Sequence, residues 1–246
     1  MTNESITVDE FQQLARSRSK FYGFLSSLYV QIPNDEFAGS LLSDKFLSFL
    51  RSIASSDVVS GEMKEGLRVI EGFIEKTKDG PRSKLAEELA VDWTRLLRGL
   101  KRGYGPPPPY ESVYREGSEQ DGRQTIGDVT KTYREAGAGM GDQSGQRADY
   151  IGIELDFMRY LAEKEIERWK KSEYEEAVKY LRLEENFLGK HMIQWIPKFC
   201  DTVLTEARTD FYKGVARLTK GFLLLENKSI EGYIELAEKH LRLSPS

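Results

Sequence analysis

Residues 103–117 read GYGPPPPYESVYREG. Pro106 to Pro109 supply no backbone donors and push each preceding residue toward extended conformations, so no helix runs through this stretch. It is expected to be a stiff strap. Upstream, Leu85, Leu89, Trp93, Leu96 and Leu100 recur at spacings of three or four. Downstream, past a glycine-rich loop from Gly137 to Gly145, Ile151, Leu155, Met158, Ala162, Ile166 and Trp169 do the same. The end of the first helix, the strap and the start of the second helix are expected to wall one site.

The rest of the chain keeps the helical period. Thr7 with Glu10 reads as a capping box ahead of Phe11, Leu14, Phe21, Leu25 and Leu28. After Pro33 and Asn34, one helix is expected over Ala38, Leu42, Phe46, Phe49 and Ile53, and another over Met63, Leu67, Ile70 and Ile74, ended by Gly80 and Pro81. The segment 101–124 lacks the period and is expected to be a long loop, followed by a short helix Thr125 to Ala136. Asp149 is placed to cap the next helix, and Ser172 with Glu175 the one after it. Gly189 and Pro197 are expected to break the chain again, with Pro197 in a first turn. Phe211 to Leu225 and a separate helix from Ser229 close the chain. No segment alternates as a strand does. The fold class is all-α, a bundle of about nine or ten helices over 5–243, with lobes 5–100 and 125–243 conceivable around loop 101–124.

A chain of 246 residues, 39% hydrophobic, can bury a sizeable core. A net charge of −4 with 31% charged residues of both signs argues against a nucleic-acid partner. Cys200 is the sole cysteine, which excludes an intrachain disulfide and fits a reducing compartment. The opening MTNESITVDEF has no basic run leading an apolar one, and apolar runs such as Phe222 to Leu225 fall far short of the roughly 20 residues of a membrane span. A cytoplasmic protein, not membrane-integral, is expected.

Enzyme chemistry finds little support. His191 and His240 are the only histidines, without metal-ligand spacing, and read as packing or capping residues. Gly137 to Gly145 precedes a helix N-terminus, but lacks both the GK[ST] ending and the preceding strand of a phosphate loop. Trp169 and Trp195 read as core. Trp93 differs, because it abuts a strap carrying Tyr104, Tyr110 and Tyr114, a surface suited to an extended or helical peptide.

The segments WTRLLRG (93–99), PPYESVY (108–114), DYIGIELDFM (149–158), FLGKHMIQWIPKF (187–199) and DFYKGVARLTKGFL (210–223) resemble, in order and spacing, the TorD/DmsD/NarJ family of redox-enzyme maturation chaperones. The family's aromatic-x-x-Leu-Phe-x-Gly motif falls on Trp93, Leu96, Leu97 and Gly99, and its Pro-aromatic-x-Ser-Val-Tyr motif on Pro109, Tyr110, Ser112, Val113 and Tyr114. Its acidic-Pro-Asp-His motif falls on Arg147, Ala148, Asp149 and Tyr150, where only the Asp is kept.

The resemblance implies an all-helical, non-enzymatic chaperone without a cofactor of its own. It implies binding of the twin-arginine signal peptide and of the immature catalytic subunit of a molybdenum-cofactor oxidoreductase, which is held in the cytoplasm until its cofactor is inserted. A basic and apolar leader calls for carboxylates beside a greasy groove. Asp149 and Glu154 would meet the arginines, with Glu111 nearby, while Trp93, Leu96, Leu97, Pro109 and Tyr110 would take the apolar part. Tyr150 would pack on the ligand, and Ser112 and Tyr114 would anchor the strap. The alternatives are a scaffold that grips a folded partner surface and, from the glycine-rich loop alone, a small-molecule enzyme or nucleotide hydrolase. A monomer or a domain-swapped dimer is compatible with lobes on a strap.

Overall fold

A computed structural model of the chain describes residues 6–56, 58–99, 105–115, 119–139 and 147–243. Leu100, the first two and last two residues of 103–117, and the 140–145 part of the glycine-rich loop lie outside the described residues. The described residues are helical apart from their connections. The helices are α1 (Val8–Val30), α2 (Asp35–Leu41), α3 (Asp44–Ala54), α4 (Gly61–Thr77), α5 (Arg82–Leu97), α6 (Glu111–Tyr114), α7 (Glu119–Glu135), α8 (Ile151–Lys170), α9 (Tyr174–Phe187), α10 (Ile193–Glu206) and α11 (Asp210–Leu243). α9 and α10 run on through a π turn, Leu188–Met192, so they form one rod. The all-α expectation holds.

Several boundaries differ from the sequence reading. The predicted capping box at Thr7 and Glu10 forms as expected. The helix expected over Ala38 to Ile53 is two, because the Ser43 side chain accepts from the Phe46 amide and caps a fresh start. α7 begins at Glu119, six residues before the predicted start at Thr125, and α6 is a turn of helix inside the expected loop. Ser172 caps nothing: it has φ of 60°, and Glu173 occupies the N-cap position of α9. Gly189 and Pro197 do not break the rod, which widens to a π turn at Gly189 and carries Pro197 inside α10. The helix expected to start afresh at Ser229 is the continuation of α11.

The two longest contacts are α1 along α8 and α4 along α11. The second is backbone to backbone: a Cβ on Gly66 would lie 2.7 Å from the Leu218 amide nitrogen, so the crossing requires glycine. One main core takes in side chains from Tyr22 to Leu223, and a satellite at the far ends of α1, α8, α9 and α11 gathers Phe11, Trp169, Leu181 and Ile234. Phe11 stacks on Trp169 at 4.6 Å.

Buried Asp92 on α5 fixes the entry to α11. One of its oxygens accepts from the amides of Arg208 (3.0 Å) and Thr209 (2.8 Å) and from the Thr209 hydroxyl (2.9 Å). Asp92→Ala strands these donors, and is expected to lower unfolding free energy by about 2 kcal/mol, read as an earlier urea midpoint with an unchanged slope.

Candidate functional site

The strap lies against the end of α5, as its sequence position suggests. Gly99, at φ of +69°, leaves room for Pro108, whose Cβ would be 2.8 Å from any Cβ placed there. The strap then pairs with the segment entering α8: the Glu111 amide donates to the Asp149 carbonyl (2.9 Å) and the Ile151 amide to the Pro109 carbonyl (3.0 Å). The Tyr114 hydroxyl donates back to the Pro107 carbonyl at 3.0 Å, and burial pushes its pKa up to about 12. Its anchoring role is therefore local and structural.

These two segments converge on the end of α1. Tyr29 sits in the last turn, and the residue four further on, Pro33, has no amide to offer its carbonyl. That orphan carbonyl accepts from Trp93 Nε1 (3.1 Å) and from the Tyr150 hydroxyl (2.7 Å). Ser26 Oγ adds a bond to the Gly152 carbonyl at 2.7 Å. Trp93, Leu96, Leu97 and Tyr150 are all buried, and they form the floor under α1.

Asp149 does not cap α8; Tyr150 holds that position without a side-chain bond. The Asp149 carboxylate instead accepts from the Ser112 amide at 3.1 Å and, through both oxygens, from Arg147 at 3.0 Å. Arg147 also donates to Ser112 Oγ (2.7 Å) and lies over the Tyr110 ring at 4.2 Å. The residue that departs from the family motif thus places the chain's own guanidinium on the carboxylate that was expected to meet a leader's. Asp149 is fully buried; Tyr110 and Ser112 are half-buried, and Tyr110 packs on Tyr150 at 5.4 Å.

Glu111 and Glu154 are a second, deeper layer, both with no exposed surface. Glu111 is held by Arg115 (2.8 Å) and by His191 Nδ1 (3.0 Å), and Glu154 accepts from Trp195 Nε1 (3.0 Å). Burial, then the charge of Glu111, pushes the Glu154 pKa well above the usual carboxylate range, so it carries a proton. Glu154→Gln keeps an acceptor for Trp195 without a titrating group. We expect it to melt like the parent near neutrality and to flatten the pH dependence of stability, whereas Glu154→Ala melts several degrees lower.

Trp93, Leu96, Leu97, Pro109, Tyr110, Glu111, Ser112, Tyr114, Asp149, Tyr150 and Glu154 therefore belong to one junction of α1, α5, the strap and α8. Of these, Pro109, Glu111, Asp149 and Glu154 are buried alongside the apolar residues, leaving Tyr110 and Ser112 with partial exposure. Sequence reading missed the Tyr29 carbonyl, for which Pro33 was the available signal. It also missed His191 and Arg115, on Glu111. Among the described residues no group of three His, Cys, Asp or Glu is placed to hold a metal, and no helix is long and apolar enough to cross a membrane.

The described residues thus form a helical bundle in which separated motif segments brace the end of α1. Residues 57–201, more than half of the chain, match the family described as nitrate reductase delta subunit, and the chain belongs to that family, the TorD/NarJ group. Among its relatives are proteins named chaperone protein TorD. That of Vibrio cholerae serotype O1 (strain O395) is 23% identical over 230 residues, covering 93% of this chain and 98% of the relative. That of Photobacterium profundum is 25% identical over 222 residues, covering 89% and 96%. That of Vibrio vulnificus (strain YJ016) is 22% identical over 226 residues, covering 92% and 100%. Chaperones are not catalysts, and the expectation of a non-enzyme agrees with these relatives.

Proposed function

We propose that this chain is a cytoplasmic maturation chaperone that binds the twin-arginine signal peptide and the immature catalytic subunit of a molybdenum-cofactor oxidoreductase, assists cofactor insertion and delays export. The observation that carries the reading is the convergence of three separated family motifs on one helix end, the Tyr29 carbonyl gripped by Trp93 and Tyr150 and flanked by the strap. Such a brace presents a fixed surface for a short segment of another protein. Burying two or three leucine-sized side chains there yields micromolar-scale binding after association costs, which suits a partner that must be released.

Calorimetry with a synthetic leader tests this. Replacing both arginines of the leader by alanine is expected to weaken binding at least about tenfold, about 1.4 kcal/mol. Unchanged affinity would refute leader recognition. If a leaderless catalytic subunit is captured as well as one with its leader, the protein is a scaffold for a folded surface instead.

A further inference from the structure

Glu111 of the strap and Glu154 of α8 are neighbouring buried carboxyls, and the donors around them are unevenly shared. Glu111 is supplied twice over. Arg115 reaches it from one turn further on at 2.8 Å, and the rod widens to a π turn, Leu188–Met192, that sets His191 Nδ1 at 3.0 Å from it. Arg115 also donates to the Lys190 carbonyl at 3.4 Å, so both side chains tie the strap to the rod. Glu154 has one donor, Trp195 Nε1 on its Oε2, while its Oε1 is buried and receives none. Among the described residues it is in no ion pair.

A buried oxygen without a donor is costly unless it carries a hydrogen of its own. Glu111 lies within hydrogen-bonding reach of Glu154. A proton on Glu154 Oε1, donated to Glu111, gives the orphan oxygen a partner and removes one of two adjacent buried charges. Arg115 is then left to answer Glu111, and Arg147 to answer Asp149 at the entry to α8. Tyr133 of α7 faces the same carboxyls, but burial pushes its pKa well above the ordinary value and it stays neutral. His191 and Arg115 line a cleft of about 870 Å³ between α7 and α9, which gives the shared proton a short way to solvent.

We infer that this proton is a clasp: with it, Glu154 of α8 holds the strap down through Glu111, and without it two adjacent carboxylates drive the strap off α8 while the helices stay packed. The device is independent of what the protein binds. Burial, then the charge of Glu111, raises the Glu154 pKa well above 4.5 when the strap is closed, and an opened strap returns it toward that value. The closed state keeps the proton and the open state gives it up. Closure is therefore fully held below about pH 4.5 and is lost as pH rises through the folded value.

Native-state hydrogen exchange followed by NMR tests this. The amides of Glu111, Ser112 and Ile151 report on the strap, since they donate to the Asp149 carbonyl, the Asp149 carboxylate and the Pro109 carbonyl. Corrected for intrinsic exchange, their protection in the parent is expected to fall between pH 5 and 8, by up to about tenfold per pH unit, the limit for one proton released on opening. Glu154→Gln puts an amide donor where the proton stood and is expected to keep that protection constant. Glu226→Gln, in the separate cluster around Arg18, is expected to leave the fall as in the parent. Flat protection in the parent overturns the clasp, and so does an undiminished fall in Glu154→Gln. A fall that Glu226→Gln abolishes means that these amides open only with the whole molecule, which also overturns it. Independently of how any variant folds, the Glu154 carboxyl carbon of the parent must show a protonated acid at pH 7, and a carboxylate there overturns the clasp.

Discussion

Arg18→Ala is expected to lower unfolding free energy by about 3–5 kcal/mol, because it leaves buried carboxylates without their counter-charge. Arg18 of α1 is buried and pairs with Glu165 of α8, with Glu184 of α9 at 3.3 Å and with Glu226 of α11 at 3.8 Å. Trp169 Nε1 donates to Glu165 at 2.8 Å, and Tyr22 and Tyr233 face the same cluster. One cation against three carboxyls is not balanced, so the folded chain holds protons here. Burial, partly opposed by Arg18, pushes Glu226 up to about 7 and Glu184 well above the usual range.

The sign of the pH dependence follows. Between about pH 4.5 and 7 the unfolded chain gives up a proton that folded Glu226 keeps, so stability falls as pH rises, by about 1.4 kcal/mol per pH unit from this group, and levels off above its folded pKa. Removing Arg18 takes away the charge that holds Glu226 and Glu184 down, and so raises their folded pKa values further. Their protonation at low pH then makes good part of the loss. Urea unfolding at pH 5 and pH 8 is therefore expected to show the larger deficit of Arg18→Ala at pH 8. Equal deficits would mean that the lost packing of the arginine stem, not its charge, sets the cost.

This cluster was legible and was overlooked. Of the stripe expected on α1, Phe11, Leu25 and Leu28 are buried and Leu14 and Phe21 only partly so, while Ala15, Arg18 and Tyr22 complete the buried face, so that an arginine stands on it. Glu165 between Ala162 and Trp169, Glu184 between Leu181 and Leu188, and Glu226 between Phe222 and Ile230 stand on their core faces in the same way. Four charges on four apolar stripes, three of one sign and one of the other, are a pattern that period analysis meets only if charged residues are not assigned outward beforehand.

Helices with an uninterrupted period were readable: α4 buries Met63, Leu67, Ile70 and Ile74, and α8 buries every apolar position expected of it. Where a polar cap residue lies inside an apolar period, as Ser43 does, the period alone hides the break. Where cap-forming residues lie on a rod fixed by tertiary packing, as Asn227 and Ser229 do on α11, local propensity is overridden by burial of Ile230 and Ile234 on the same face. The site was readable as a meeting of segments but not in depth. Adjacency in sequence says that Trp93, Tyr110 and Asp149 are close; it does not say which of them the others cover.

Depth separates two substitutions that look alike in sequence. Trp93 is 3% exposed, packed in the main core and bonded to the Tyr29 carbonyl. Trp93→Ala is therefore expected to lower unfolding free energy by about 3–5 kcal/mol, the cost of a buried aromatic, and any loss of peptide binding will accompany a loss of fold. Tyr110 is half-buried, with the Arg147 guanidinium over one face, so Tyr110→Ala is expected to shift stability by about 1 kcal/mol or less and to leave binding measurable on a folded protein. Trp93→Phe decides what the indole does. It retains most of the packing and deletes the donor, while Tyr150 still serves the carbonyl. If Trp93→Phe melts near the parent yet binds the leader peptide markedly less well, the indole bond positions the end of α1 for its partner. If it binds as the parent does, the Tyr150 hydroxyl alone is sufficient to hold that end, and Trp93 is a core residue.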